Sequence, residues 1–294
     1  MQPDLVLFTG DFGNENVELV RSIANLKFAK AVILGNHDAW NTQKFSERKD
    51  NVQLQLECLG DEHVGYRRLD FPMLKLSVVG GRPFSCGGEQ LFRKRLLSAR
   101  YGINDMDGSA RRICETALRT PEDHTIIVLA HNGPTGLGSN MNDICGRDWV
   151  PGGGDHGDPD LVHAISQLKE TTKFSIPLVV FGHMHKGLAY GNGLRKMIVV
   201  GNDNTTYLNG AIVPRVKSLN SEQGTHNRSS MNNGTRLAAT ESEGTMRAFT
   251  VAIMSNGRLE KIAETWVSVI GDKTTLAEEN ILFSSDPRSS EQSL

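Results

Sequence analysis

The chain has 294 residues, of which 22% are charged and 38% hydrophobic, with a formal net charge of −2. That length can bury the core of one elaborated α/β domain or two small ones, and the near-neutral balance excludes a nucleic-acid footprint and a polybasic membrane patch. The four cysteines, Cys58, Cys86, Cys114 and Cys145, lie far apart without the paired spacing of a zinc knuckle or redox motif, and read as free thiols of a reducing compartment. No apolar run reaches membrane-spanning length and no signal-peptide h-region opens the chain, so a soluble intracellular protein is expected. The sequons at Asn204, Asn227 and Asn233 are discounted on the same ground.

Taken in chain order, five short apolar runs rich in β-branched residues read as strands buried on both faces: 5–8, 31–34, 74–79, 125–130 and 177–181. Between the first two, Val17, Val20, Ile23 and Ala24 form one helical stripe, which makes a βαβ unit. Segments 89–99 and 109–118 read as surface helices. Asp158 followed by Pro159 reads as N-cap and first turn of a helix running to about Lys169. Beyond Gly201 the texture becomes antiparallel: strands at 197–200 and 206–213 precede a late hairpin around the turn dipeptide Asn256-Gly257. The expected organisation is a single domain over 1–217 and 245–283, with 218–244 a disordered polar insert and 284–294 a disordered tail.

Four of these strands end alike. The first runs into Gly10-Asp11, the second into Gly35-Asn36-His37-Asp38, the fourth into His131, and the fifth into Gly182-His183-Met184-His185. Ligands of α/β sheets bind at the C-terminal strand edge, so these polar residues are delivered to one place. Imidazole with Asp and Asn oxygens suits a hydrolytic divalent metal, and the absence of cysteine from the cluster argues against a structural zinc site. The competing reading makes Asp11 a turn or helix N-cap and the histidines core residues; the ordered set favours ligation.

This set resembles the calcineurin-like metallophosphoesterase superfamily, whose pattern runs D-x-H, G-D-x-x, G-N-H-D/E, a lone His and G-H-x-H. The resemblance extends from Gly10 to about Asn202. It implies an α/β fold, the layered α-β-β-α sandwich of the metallophosphoesterase type, and hydrolysis of phosphate esters at two divalent metal ions (Mn, Fe, Zn or Mg). By the family pattern Asp11 bridges the two metals, Asn36, His131 and His183 complete the second site, and His185 serves the first. His37 contacts the scissile phosphate as general acid, with Asp38 hydrogen-bonded to it as its orienting carboxylate. Substrates would be a phosphorylated small molecule or a phosphoprotein.

One element of the pattern has no counterpart: no D-x-H precedes Asp11, and ten residues are too few for a strand, loop and helix. The expectation is an N-terminally truncated chain lacking the first strand, with the second metal site more complete than the first and turnover impaired. The alternative is a non-catalytic interaction or regulatory protein of the same fold. Stretches such as Gly80–Ser85 and Gly154–Leu161 look similar to phosphoesterases of cyanobacteria and plants, which implies a plastid address in a region upstream.

Other residues carry weaker expectations. Asp155 and His156, in the glycine-rich run 151–161, line a substrate mouth or, as favoured, belong to a flexible loop feeding the Asp158 cap. Arg82 either meets a substrate phosphate or is an ordinary surface arginine. His63, His124, His163 and His226 lack ligand context and read as structural or solvated.

Overall fold

Short β-branched runs alternating with amphipathic stretches build a mixed α/β fold in the computed structural model of this chain, which describes residues 2–42, 49–190, 193–219 and 244–285. The chain divides into two compact units, Met1–Ala211 with Asn256–Arg258, and Ile212–Ser255 with Leu259–Leu294.

The first unit opens with β1 (Val6–Phe8), α1 (Val17–Ala24) and β2 (Lys30–Val32); β1 and β2 pair in parallel as a two-stranded sheet. A six-stranded sheet in the order β3-β4-β5-β6-β8-β7 follows, from β3 (Arg68–Phe71), β4 (Leu76–Gly80), β5 (Thr125–Leu129), β6 (Leu178–Phe181), β7 (Ile198–Val200) and β8 (Thr206–Asn209). Strands β4, β5, β6 and β8 run parallel, while β3 and β7 are antiparallel to their neighbours. Helices α2 (Asn51–Leu59), α3 (Lys94–Tyr101), α4 (Met106–Ala117) and α5 (Pro159–Thr171) complete the unit, with α1 against α2 and α4 against α5. Ala110, Ile113, Cys114 and Ala117 of α4 share one buried core with Leu161, Ala164, Ile165 and Leu168 of α5 and with the inner faces of β2, β4, β5 and β6.

The second unit carries a four-stranded sheet in the order β12-β11-β10-β9, formed by β9 (Val216–Ser218), β10 (Thr245–Ser255), β11 (Arg258–Ile270) and β12 (Lys273–Ser284). The turn at Asn256-Gly257, between β10 and β11, has positive φ at both residues, as the expected hairpin requires. The expected insert at 218–244 lies outside the described residues except for its ends, as does most of the expected tail.

Several expectations are corrected. β1 is half-buried along its length rather than buried on both faces, because among the described residues it pairs only with β2. Helix α2 and strands β3 and β12 have no counterpart in the sequence reading. In α2 the buried face reads Val52, Gln55, Leu59, so a polar residue interrupts the apolar stripe. Gln55 is buried there because its amide donates to the Asp38 carbonyl at 2.8 Å. Strand β12 is mostly exposed, so period-two burial left no mark on its sequence. The four free cysteines form no disulfide, and no described helix is long and apolar enough to cross a membrane.

Candidate metal centre

Four polar side chains converge where β1, β2, β5 and β6 end. The His131 Nε2 atom lies 3.0 Å from Asn36 Oδ1, 3.2 Å from His183 Nδ1 and 3.4 Å from Asp11 Oδ2, and His183 Nδ1 lies 3.1 Å from Asn36 Oδ1. The ligand atoms of Asp11, His131 and His183 all fall within 4.8 Å of one another. Glycine permits this approach: a Cβ at Gly35 would overlap both the Asp11 carboxylate and the His131 ring. Two of the ligands sit in the left-handed region, Asp11 at φ 61° and His183 at φ 64°. Such conformations are costly for non-glycine residues and gather at functional sites, where surrounding structure holds them.

The chemistry of this donor set fits a cation. His131 Nδ1 donates to the Thr9 carbonyl at 2.6 Å, which leaves Nε2 as the lone-pair nitrogen facing the cluster. That nitrogen then faces an amide oxygen, a carboxylate oxygen and the Nδ1 atom of another imidazole, and a cation would satisfy all of them at once. Side-chain atoms 3.0–3.4 Å apart are close enough that one cation could be held by them together.

The electrostatics agree. Burial disfavours charge on His131, but the Asp11 carboxylate outweighs it and raises the ring to about 8. Burial likewise opposes charge on Asp11, yet His131 holds that carboxyl well below the ordinary range. Burial, then the neighbouring His131 charge, pushes His183 down to about 3, so it stands neutral and ready to ligate.

Asp38 is wholly buried, and its carboxylate accepts from the backbone N–H groups of Asp11 (2.9 Å), Phe12 (2.9 Å) and Gly35 (2.8 Å). It staples the Gly10-Asp11 loop to the Gly35-Asn36 turn. Burial pushes its carboxyl up to about 7 against those donors. The expected Asp38–His37 hydrogen bond is therefore corrected. His37 instead places Nδ1 2.6 Å from Asn14 Oδ1, a neutral amide in place of a carboxylate, and its ring stacks on Trp40 at 4.8 Å and 9°. Its backbone N–H donates to Asp11 Oδ1 at 3.0 Å, which fixes the short 3-10 turn His37–Ala39 beside the ligand.

His185 stands outside the cluster and is more exposed than its members. Burial lowers its proton affinity while Asp11 opposes, so the two residues interact electrostatically across the site. Its carbonyl accepts from Arg195 Nε at 3.0 Å. Arg195 is itself buried, and its Nη1 donates to the carbonyls of Met141 (3.1 Å), Asp143 (2.8 Å) and Gly146 (2.6 Å), tying His185 to the loop that follows β5. Nothing in the sequence around Arg195 marked it.

The competing role for Asp11 does not hold: the cap of α1 is Asn16, whose side chain accepts from Leu19 N at 3.1 Å. Asp158 and Pro159 take the N-cap and N1 positions of α5, but the Asp158 carboxylate does not cap the helix. It accepts from Arg82 (2.8 Å), Ser85 (2.7 Å) and Asn132 (3.3 Å). Arg82 is 2% exposed and also paired with Asp160 at 3.0 Å, so it is a buried brace and neither meets a substrate phosphate nor lies on the surface. The glycine-rich run is hydrogen-bonded rather than loose: Arg147 N donates to Gly154 O (2.9 Å), His156 N to Cys145 O (2.9 Å) and Gly157 N to Asp155 Oδ1 (2.8 Å). His63 and His124 are buried away from the cluster, His163 is exposed on α5, and His226 lies outside the described residues.

A strand-end cluster of Asp, Asn and two histidines on an α/β frame brings together the donor types of a divalent-metal site. A model of the calcineurin-like phosphoesterase family matches residues 1–187, and the chain belongs to that family, whose members typically bind two divalent metals. No curated protein matches the chain.

Proposed function

We propose that this chain hydrolyses phosphate esters at a divalent metal held by Asp11, Asn36, His131 and His183, with His185 and the second oxygen of Asp11 serving a neighbouring metal. The observation that supports this most is the convergence of Asn36 Oδ1, His183 Nδ1 and Asp11 Oδ2 on His131 Nε2 at 3.0–3.4 Å. When bound, the metal pair supplies Lewis acidity toward the phosphoryl oxygens and activates the attacking water. The rest falls to this chain's side chains. His37 stands beside Asp11 and gives the leaving oxygen its proton from Nε2, since Nδ1 is engaged by Asn14. Trp40 keeps the imidazole flat. Asp38, through three backbone amides, holds Asp11 and Asn36 in register.

Turnover by this chain is slow. Among the described residues only one group of ligands suits a metal, so Asp11 and His185 offer the neighbouring ion few partners. The chain purified with Mn²⁺ should bind one metal tightly and hydrolyse p-nitrophenyl phosphate slowly, and Asp11→Asn should remove both properties. Tight metal binding without any hydrolysis would favour the non-catalytic reading, and hydrolysis that survives Asp11→Asn would refute the site.

A further inference from the structure

His156 lies in the glycine-rich loop, away from the four ligands in sequence, yet its ring stacks at 26° on that of His183 with centroids 6.1 Å apart. Trp149 packs edge to face against it at 4.8 Å and 87°, and 43% of Trp149 remains exposed. The ring is keyed at one nitrogen: Nε2 lies 2.7 Å from the Cys86 carbonyl, an acceptor, so Nε2 carries the hydrogen. The other nitrogen, Nδ1, has no protein partner among the described residues. Glycine keeps the surrounding space clear, for a Cβ at Gly88 would stand 3.4 Å from Nδ1 and 3.5 Å from Cε1, and one at Gly87 would meet the ring at 2.6 Å.

We infer that His156 is a specificity-determining residue of the phosphoesterase site: its Nδ1 accepts a hydrogen bond from a hydroxyl on the ester's alcohol portion, so the favoured substrates are polyol or sugar phosphates rather than simple alkyl or aryl phosphates. The inference rests on the hydrolytic reading above. The placement follows from the stack, since a group bound beside His183 would lie within one ring of His156. Trp149, half exposed beside that ring, adds an apolar wall against which the C–H face of a polyol can lie. A ring whose Nε2–H is already committed offers a lone pair and nothing else, and so selects donors. A site built to pair a hydroxyl discriminates against the analogue lacking it, because the partly buried acceptor is then left without its partner.

The two ring nitrogens can be tested separately, because asparagine puts a polar atom near the Nδ1 position and glutamine near Nε2. Mn²⁺-loaded wild type, His156→Asn and His156→Gln would be titrated calorimetrically with 2-hydroxyethylphosphonate and with ethylphosphonate, two non-hydrolysable analogues differing by one hydroxyl. Wild type should prefer the hydroxylated compound by about tenfold, the worth of one hydrogen bond to a partly buried acceptor. His156→Asn should keep most of that preference, and His156→Gln should lose it while binding ethylphosphonate as before. Equal affinities of wild type for both compounds would overturn the inference. Rescue by Gln but not Asn would also overturn it, by showing that His156 acts only through the Cys86 carbonyl. Hydrolysis of p-nitrophenyl phosphate, measured alongside, separates the two readings. Discrimination without turnover sinks the hydrolytic reading and leaves the hydroxyl contact standing, turnover without discrimination does the reverse, and failure to bind either phosphonate sinks both.

Discussion

Metal binding at this centre should release a proton, and the amount is set by His131. In the metal-free protein its ring titrates at about 8, because Asp11 outweighs burial. A metal needs the Nε2 lone pair, so it competes with that proton. The sign follows: below pH 8 the ring is protonated and apparent affinity falls with falling pH, and above pH 8 affinity is flat. Two units below the titration point the competition weakens binding about 100-fold, or about 2.7 kcal/mol. Asp11 is already ionised and His183 already neutral throughout this range, so neither adds a proton. Mn²⁺ titrated calorimetrically in pairs of buffers with different ionisation enthalpies should show release of about 0.9 proton per metal at pH 7 and about 0.1 at pH 9. In His131→Asn the pH dependence should vanish along with most of the affinity. Release near zero at pH 7, or unchanged release in His131→Asn, would refute the account.

Other outcomes follow from the same geometry. Asp38→Ala strands three backbone donors around a buried hole and should lower stability by about 3 kcal/mol or more, read as a drop in Tm of the metal-free protein. It should also weaken Mn²⁺ binding, although Asp38 is not a ligand. Asn14→Leu should leave metal content unchanged while lowering kcat by about 10- to 100-fold, since only the aim of His37 is lost; an equal loss of bound metal would contradict that role. Arg82→Met leaves the buried Asp158 and Asp160 carboxylates without their cation and should cost about 3–5 kcal/mol, measurable by denaturant unfolding. In that variant, adding Asp158→Asn and Asp160→Asn should restore part of the loss.

The parts of this protein legible in its sequence are those written in contiguous residues. Each of Asp11, Asn36 and His183 follows a glycine after a short apolar strand, and His131 follows one directly, so strand polarity alone carries them to one sheet edge. Hydrophobic periodicity likewise marks α1, α4, α5 and the parallel strands, because their buried faces are mostly apolar. Helix α2 and strand β12 escaped for the converse reason: one buries Gln55 to reach the Asp38 carbonyl, and the other buries very little.

Pairing between distant polar groups left no such mark. That His37 is aimed by Asn14 and not by Asp38, that Arg82 is spent on Asp158 and Asp160, and that Arg195 ties His185 to the loop after β5 depend on which backbone groups face one another once the chain is folded. His156 makes the contrast plainest. In sequence it is one histidine in a glycine-rich run, and only the folded loop lays it on His183 with one nitrogen engaged and the other open. Which residue types end each strand could be read directly, since an apolar run and the polar residue that closes it are contiguous. The tertiary structure decided which of their neighbours hold them there, since a hydrogen bond between residues 70 or more positions apart exists only in three dimensions.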